Sequence, residues 1–216
     1  MRYYDPAGRD RRGGNLGGGA VRRVGLIAVF GAALAATCIS ASFASASRPN
    51  AATCGGALWR LTTLSDPDRG KVALTPRPTT IGAIVTRATP QPIPRRRTTT
   101  FQRHAWEVVA QIAEYRLVQN VLHLSLSDDN TYVDALLPSP ACLPANARAR
   151  SAVVRAWTKF TTDCAPHPTQ RPQPLGAVAY VTGVGSWSTA RTGHVAPNGA
   201  TLGPVTGFRF VAGCGA

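Results

Sequence analysis

RHAWEVVAQIAEYRLVQNVLHLSLSDDNTYVDALL, residues 103–137, keeps strand periodicity through three consecutive runs, and the rest of the chain is read outward from it. In the first run the even positions Trp106, Val108, Ala110 and Ile112 point one way. Beyond Ala113 the apolar phase moves to the odd positions Tyr115 and Leu117. Side chains alternate faces along a strand, so a one-residue slip of phase predicts a β-bulge and a sharply bent strand. The second run turns Leu122, Leu124 and Leu126 inward and the third Val133, Ala135 and Leu137, with the turn-forming triplet Asp128-Asp129-Asn130 between them. Together the runs form a three-stranded antiparallel meander.

Downstream, Pro138 to Pro144 ends the third strand, and a helix is expected from about Ala145 to Thr161. Ala149, Val153, Ala156, Trp157 and Phe160 share one helical face, opposite Arg148, Arg155 and Lys159. After the proline-rich segment from Cys164 to Leu175, Gly176 to Val184 and Pro204 to Ala212 read as two further strands, separated by a long loop from Gly185 to Gly203. Three meandering strands, a helix and two more strands are the order of an OB-like five-stranded barrel, β-β-β-α-β-β, whose first strand bends most strongly. The expected fold is therefore mainly β with one main helix, the barrel occupying residues 101–216.

Upstream, residues 47–100 form an N-terminal extension. Ala57 to Leu64 alternates well enough for a strand, Lys71 to Leu74 is a second short one, and Thr79-Thr80-Ile81 opens a short helix to Arg87 with a threonine cap. Pro90-Gln91-Pro92-Ile93-Pro94 followed by Arg95-Arg96-Arg97 has the composition of an extended, solvated linker without an interleaved aromatic for base stacking. Residues 1–46 combine a Gly- and Arg-rich tail with Arg22-Arg23, the apolar run Val24 to Ile39 and Ala44-Ser45-Ala46, an export signal expected to be cleaved after Ala46. An uncleaved membrane anchor and lipidation at Cys38 are the alternatives.

Cleavage leaves four cysteines, Cys54, Cys142, Cys164 and Cys214, an even number that in an exported chain implies two disulfides with three connectivities open. A Cys54–Cys214 bridge would tie the two ends of the domain together. No pair has C-x-x-C spacing, so a structural zinc site is not expected. The chain carries 24 Lys and Arg against 10 Asp and Glu, net +14, and 18 against 8 remain after residue 46. Such a field favours an anionic polymer, a glycan or a membrane surface as partner, or serves solubility alone.

Sites for catalysis are sparse. The histidines, His104, His123, His167 and His194, fall in neither H-x-H nor H-E-x-x-H, and His123 lies on the face of its strand opposite the three leucines. Ser186 has no G-x-S-x-G elbow, and Gly183-x-Gly185 is half a phosphate loop that opens no helix. Asp128 and Asp129 are the acids a cation-dependent phosphodiesterase or nuclease would use, but turn formation accounts for them. In an OB barrel the loop before the last strand borders the ligand face, which makes Trp187, Arg191, His194 and Asn198 the candidate ligand-binding residues. No cofactor or metal is expected, and the protein is expected to be a monomer.

Trp59-x-x-Thr62-x-Leu64-x-Asp66, Thr79-Thr80-Ile81, Leu122-His123-Leu124, Pro138-x-Pro140-x-Cys142, Val181-Thr182-Gly183-Val184-Gly185 and Ala196-Pro197-Asn198-Gly199 followed by Pro204-Val205 resemble a family of small exported bacterial proteins of uncharacterised activity. The resemblance spans Trp59 to Phe210 and implies export and an OB-like barrel. Where the family has Glu-Leu-His-Pro-Val, this chain has Thr201-Leu202-Gly203-Pro204-Val205, and Ser186-Trp187-Ser188 replaces Phe-Phe-Asp. Any acid–base chemistry on those side chains is thus missing here. The expectation is an exported, disulfide-bonded, non-catalytic binding or structural protein, with the phosphodiesterase as the alternative.

Overall fold

Parity along residues 103–137 is kept in three dimensions. The computed structural model describes residues 54–56, 58–189 and 194–214; the export segment, Cys38 and Arg191 lie outside them. The protein is mainly β, with strands β1 (Ala73–Pro78), β2 (His104–Val118), β3 (Val121–Asp128), β4 (Thr131–Pro138), β5 (Gln173–Trp187) and β6 (Ala200–Ala212). Helices α1 (Trp59–Thr62), α2 (Ile81–Val85) and the main helix α3 (Arg150–Asp163) accompany them.

The pairings of β2 with β3 and with β5 both shift register between Ile112 and Glu114, so Ala113 is the bulge that the slip of apolar phase predicts. Ile112 and Tyr115, three residues apart, are consequently both buried. Positive φ at Gln119 and Asn120, and again at Asp129 and Asn130, makes both hairpin loops tight two-residue turns whose twist suits the flanking strands. The second turn sets Asp128 opposite Thr131 and hence Ser125 opposite Asp134 and His123 opposite Leu136.

The sheet runs β1-β2-β3-β4-β6-β5, and β2 also pairs antiparallel with β5 from Ala105 to Tyr115. β1 is parallel to the start of β2, and β4 is parallel to β6 through Asp134–Thr201 and Ala135–Leu202. Leu122, Leu124, Leu126, Val133, Ala135 and Leu137 are all fully buried in the main core. Val153, Ala156 and Phe160 of α3 join them, Phe160 meeting Tyr115 edge-on at 5.5 Å. Burying a side chain such as these contributes about 1.5–3 kcal/mol each.

Several expectations are corrected. The strand expected over residues 57–64 is not found in the described part, 58–64: it holds α1, and Thr62 and Thr63 turn their hydroxyls back to the Leu58 and Trp59 carbonyls, satisfying them locally. The second upstream strand starts at Ala73, beyond a 3-10 turn at Arg69–Lys71. The capped helix forms, Thr80 accepting from the Ala83 N–H, but ends at Val85. α3 begins five residues later than expected, because Arg148 is drawn to the upstream segment: its N–H donates to Leu64 and its guanidinium to the Arg69, Gly70 and Val72 carbonyls. Ala149 then sits at φ 63°, outside helical space. β5 and β6 are longer than expected, which shortens the loop between them to residues 188–199.

The disulfides are Cys54–Cys142 and Cys164–Cys214, with Cα separations of 5.6 and 4.8 Å, so the two ends of the fold are not bridged to each other. The first fastens the segment before α1 to the turn after β4. The second joins the end of α3 to the end of β6. Among the described residues no helix is long and apolar enough to cross a membrane.

Candidate functional site

On the outward faces of five strands, register lines up a polar row. Ser125 pairs with Glu114 on β2 and with Asp134 on β4, Asp134 pairs with Thr201 on β6, and Thr201 pairs with Ser186 on β5. His123, one diagonal step from Asp134, points its Nδ1 at the Asp134 carboxylate, 2.9 Å away. Asp134, Thr201 and Ser186 are at most 7% exposed although they face away from the core. Ser186 and Thr201 share a cavity with the segment that Cys54–Cys142 holds down.

That segment is placed by three local features. The disulfide anchors Cys54, the Gly55 N–H donates to the Gln119 carbonyl of the β2–β3 turn, and the Trp59 indole lies on Gly55. A Cβ at Gly55 would stand 2.0 Å from Trp59 Cε3, and the φ of +74° there also favours glycine. Beneath the segment is a cavity of about 260 Å³ bordered by Trp59, His123, Leu136, Ser186 and Thr201. The Thr201 hydroxyl is buried without a hydrogen-bond partner among the described residues.

Beyond Trp59 a second, larger cavity of about 640 Å³ shares Gly56, Leu58 and Trp59 with the first and is lined by Arg60, Arg95 and Arg96. The arginine run is therefore not a solvated linker. Arg97 is 1% exposed and spends its guanidinium on Asp66 Oδ2 (3.0 Å) and on the Gln102 and Leu61 carbonyls (3.0 and 2.7 Å). Burial pulls its pKa below the ordinary arginine range, and Asp66 opposes that shift. Arg96 grips Asp68 through Nε at 2.8 Å and Nη2 at 3.1 Å, and Lys71 reaches the same carboxylate at 2.8 Å. Arg96, then Lys71, holds the Asp68 carboxyl well below the usual range. Arg60 and Arg95 are exposed and make no ion pair among the described residues. One buried arginine thus orients the loop, while its neighbours face a common cleft around an indole.

The loop residues expected to bind ligand have other employment. Trp187 is 3% exposed, packs on Phe101 at 5.2 Å and donates to Thr99 Oγ1 at 3.3 Å. Asn198 donates to the Ile84 and Arg87 carbonyls and accepts from the Ala200 N–H, closing the loop onto α2. Among the described ones His194 alone is exposed, stacked on Tyr132 at 4.4 Å with Nδ1 3.4 Å from Glu114. The structure does not bring Trp187, His194 and Asn198 to one point.

Gly183-x-Gly185 serves packing, since a Cβ at Gly185 would lie 2.2 Å from the Phe101 carbonyl oxygen. That oxygen accepts from Trp106 Nε1. Asp128 and Asp129 are exposed at the β3–β4 turn. Among the described residues no group of three or more His, Cys, Asp or Glu side chains is placed to hold a metal ion. Sequence reasoning missed Trp59 and Arg60 as site residues, because 34 residues separate Arg60 from Arg95 and only folding makes them neighbours. Neither a family model nor a curated protein sequence matches the chain.

Proposed function

We propose that the protein is an exported, non-catalytic binding protein built on an OB-like barrel, and that it engages an anionic partner through the cleft of Arg60, Arg95 and Arg96 around Trp59. Support for the barrel comes from the pairings β2–β3–β4–β6–β5, which lead back to β2 through the additional β2–β5 ladder. The β-bulge in β2 and the single main helix between β4 and β5 fit the same architecture. Two disulfides point to an oxidising compartment, and residues 22–46 have the composition of the export signal that would lead there.

One observation carries the functional reading: Arg60 and Arg95, from two separated segments, line one cleft without an ion pair among the described residues, while Arg96 and the carboxylates Asp66 and Asp68 beside them are already paired, with each other, with Arg97 and with Lys71. Guanidinium groups donate in a planar fork suited to carboxylates, sulfates and phosphates. The flat indole supplies a surface for an apolar or ring portion of the ligand. Titrating the exported protein with heparin, DNA and anionic vesicles at two salt concentrations tests the proposal. Salt-sensitive binding to at least one, weakened by Arg60→Gln with Arg95→Gln, is the expected result; salt-insensitive binding or none at all contradicts it.

A further inference from the structure

We infer that the smaller cavity is a saccharide subsite, seating one ring of an acidic glycan whose carboxylate or sulfate groups reach the arginine cleft. This rests on the anionic-partner reading and adds to it the chemical class of the partner.

The polar groups in the smaller cavity suit hydroxyl ligands. His123 Nδ1 is held by the Asp134 carboxylate at 2.9 Å, which leaves Nε2 as the ring nitrogen that can hydrogen-bond a ligand hydroxyl, itself both donor and acceptor. Asp134 also fixes the ring's orientation. Thr201 Oγ1 both donates and accepts, is buried and lacks a partner among the described residues. A buried hydroxyl left unpaired costs free energy, so a bound hydroxyl that satisfies it gains selectively. Ser186, paired with Thr201 across β5 and β6, adds another hydroxyl at the same wall. Trp59 provides the apolar surface against which the C–H face of a sugar ring packs.

The charge pattern separates this partner from other polyanions. Among the described residues the smaller cavity has no arginine or lysine in its lining, whereas the adjoining cleft has Arg60 and Arg95 beside the paired Arg96. Among the described residues a phosphate chain would find cations on one side of Trp59 and hydroxyl groups on the other. An acidic glycan alternates hydroxyl-rich rings with anionic substituents and matches both sides. The volume of about 260 Å³ lies just under the ~300–1,000 Å³ typical of sites for complete ligands, which suits one ring with the chain continuing over Trp59.

Calorimetric titration of the exported protein with a heparin tetrasaccharide, inorganic polyphosphate of equal charge and single-stranded DNA provides the test. The tetrasaccharide should bind about tenfold more tightly than the other two, the difference contributed by the hydroxyl contacts. Thr201→Val replaces an unpartnered hydroxyl by a methyl of similar size, so its melting temperature should equal or exceed the parent's. It should lose about fivefold in tetrasaccharide affinity with polyphosphate binding unchanged. Arg60→Gln with Arg95→Gln should weaken all three ligands. Equal or tighter binding of polyphosphate or DNA overturns the saccharide subsite, as does a folded Thr201→Val protein with unaltered tetrasaccharide affinity; both leave the anionic reading standing. Failure of the parent protein to bind any of the three overturns the saccharide subsite, and failure to bind anionic vesicles as well overturns the anionic reading.

Discussion

Removing the Asp66 carboxylate isolates the most deeply buried charge among the described residues. Arg97 has only 1% of its side chain exposed, and its counter-ion Asp66 only 5%. In Asp66→Ala the guanidinium keeps the Gln102 and Leu61 carbonyls but loses its neutralising partner. Leaving one member of a buried pair uncompensated costs about 3–5 kcal/mol, a fifth or more of a typical domain's ~5–15 kcal/mol stability. With a urea slope of about 2 kcal/mol per molar, the unfolding midpoint should fall by about 2 M. The double substitution Asp66→Ala with Arg97→Met, which removes both charges and fills the volume with an apolar chain, should regain much of that loss. Equilibrium urea unfolding of the four proteins in a double-mutant cycle measures the coupling. A loss below about 1 kcal/mol for Asp66→Ala, or strictly additive single effects, would refute the assignment of Arg97 as a buried charge held by Asp66.

Two further outcomes follow from the same segment. Asp68 has its pKa depressed by Arg96 and Lys71, so its contribution is complete above the ordinary aspartate value of 3.8 and is lost as the pH falls below it. Unfolding measured against pH should show an acid-side loss of stability that shrinks in Asp68→Asn and in high salt, since Arg96 and Lys71 are 69% and 59% exposed. Replacing Cys54 and Cys142 by serine releases a loop spanning 88 residues, worth about 4.6 kcal/mol by loop closure, and frees the support of Trp59. Polyanion affinity should drop in that variant and stay near the parent's in folded Cys164→Ser with Cys214→Ser, as titration of both would show.

Strand architecture was the legible part of the fold, because a sheet writes its face into side-chain parity. The slip between Ile112 and Tyr115 located the bulge near Ala113, where the register shifts, and the inward leucines of β3 are all fully buried. The diagonal contact of His123 with Asp134 was within reach as well: a two-residue turn at Asp129-Asn130 sets the register that brings them together. The upstream segment was not legible. Eight alternating residues from Ala57 to Leu64 fit a strand as well as a single helical turn, and the Thr62 and Thr63 hydroxyls close the turn on the Leu58 and Trp59 carbonyls. Three consecutive arginines look alike in sequence, yet one is buried, one paired and one exposed in the cleft. In the loop, Trp187 and Asn198 had ligand-binding chemistry but are consumed by the core and by the backbone of α2. Residue type alone does not distinguish a hydrogen bond made to the fold from one offered to a partner.

The claim that the arginine cleft receives an anionic partner is tested most directly by the salt dependence of heparin binding in the parent protein and in Arg60→Gln with Arg95→Gln. Each cation that contacts the polyanion releases about one counter-ion, so the slope of log affinity against log salt should become shallower by about 1–2 on losing both arginines. Parallel slopes for the two proteins, or a parent affinity indifferent to salt, would contradict the account.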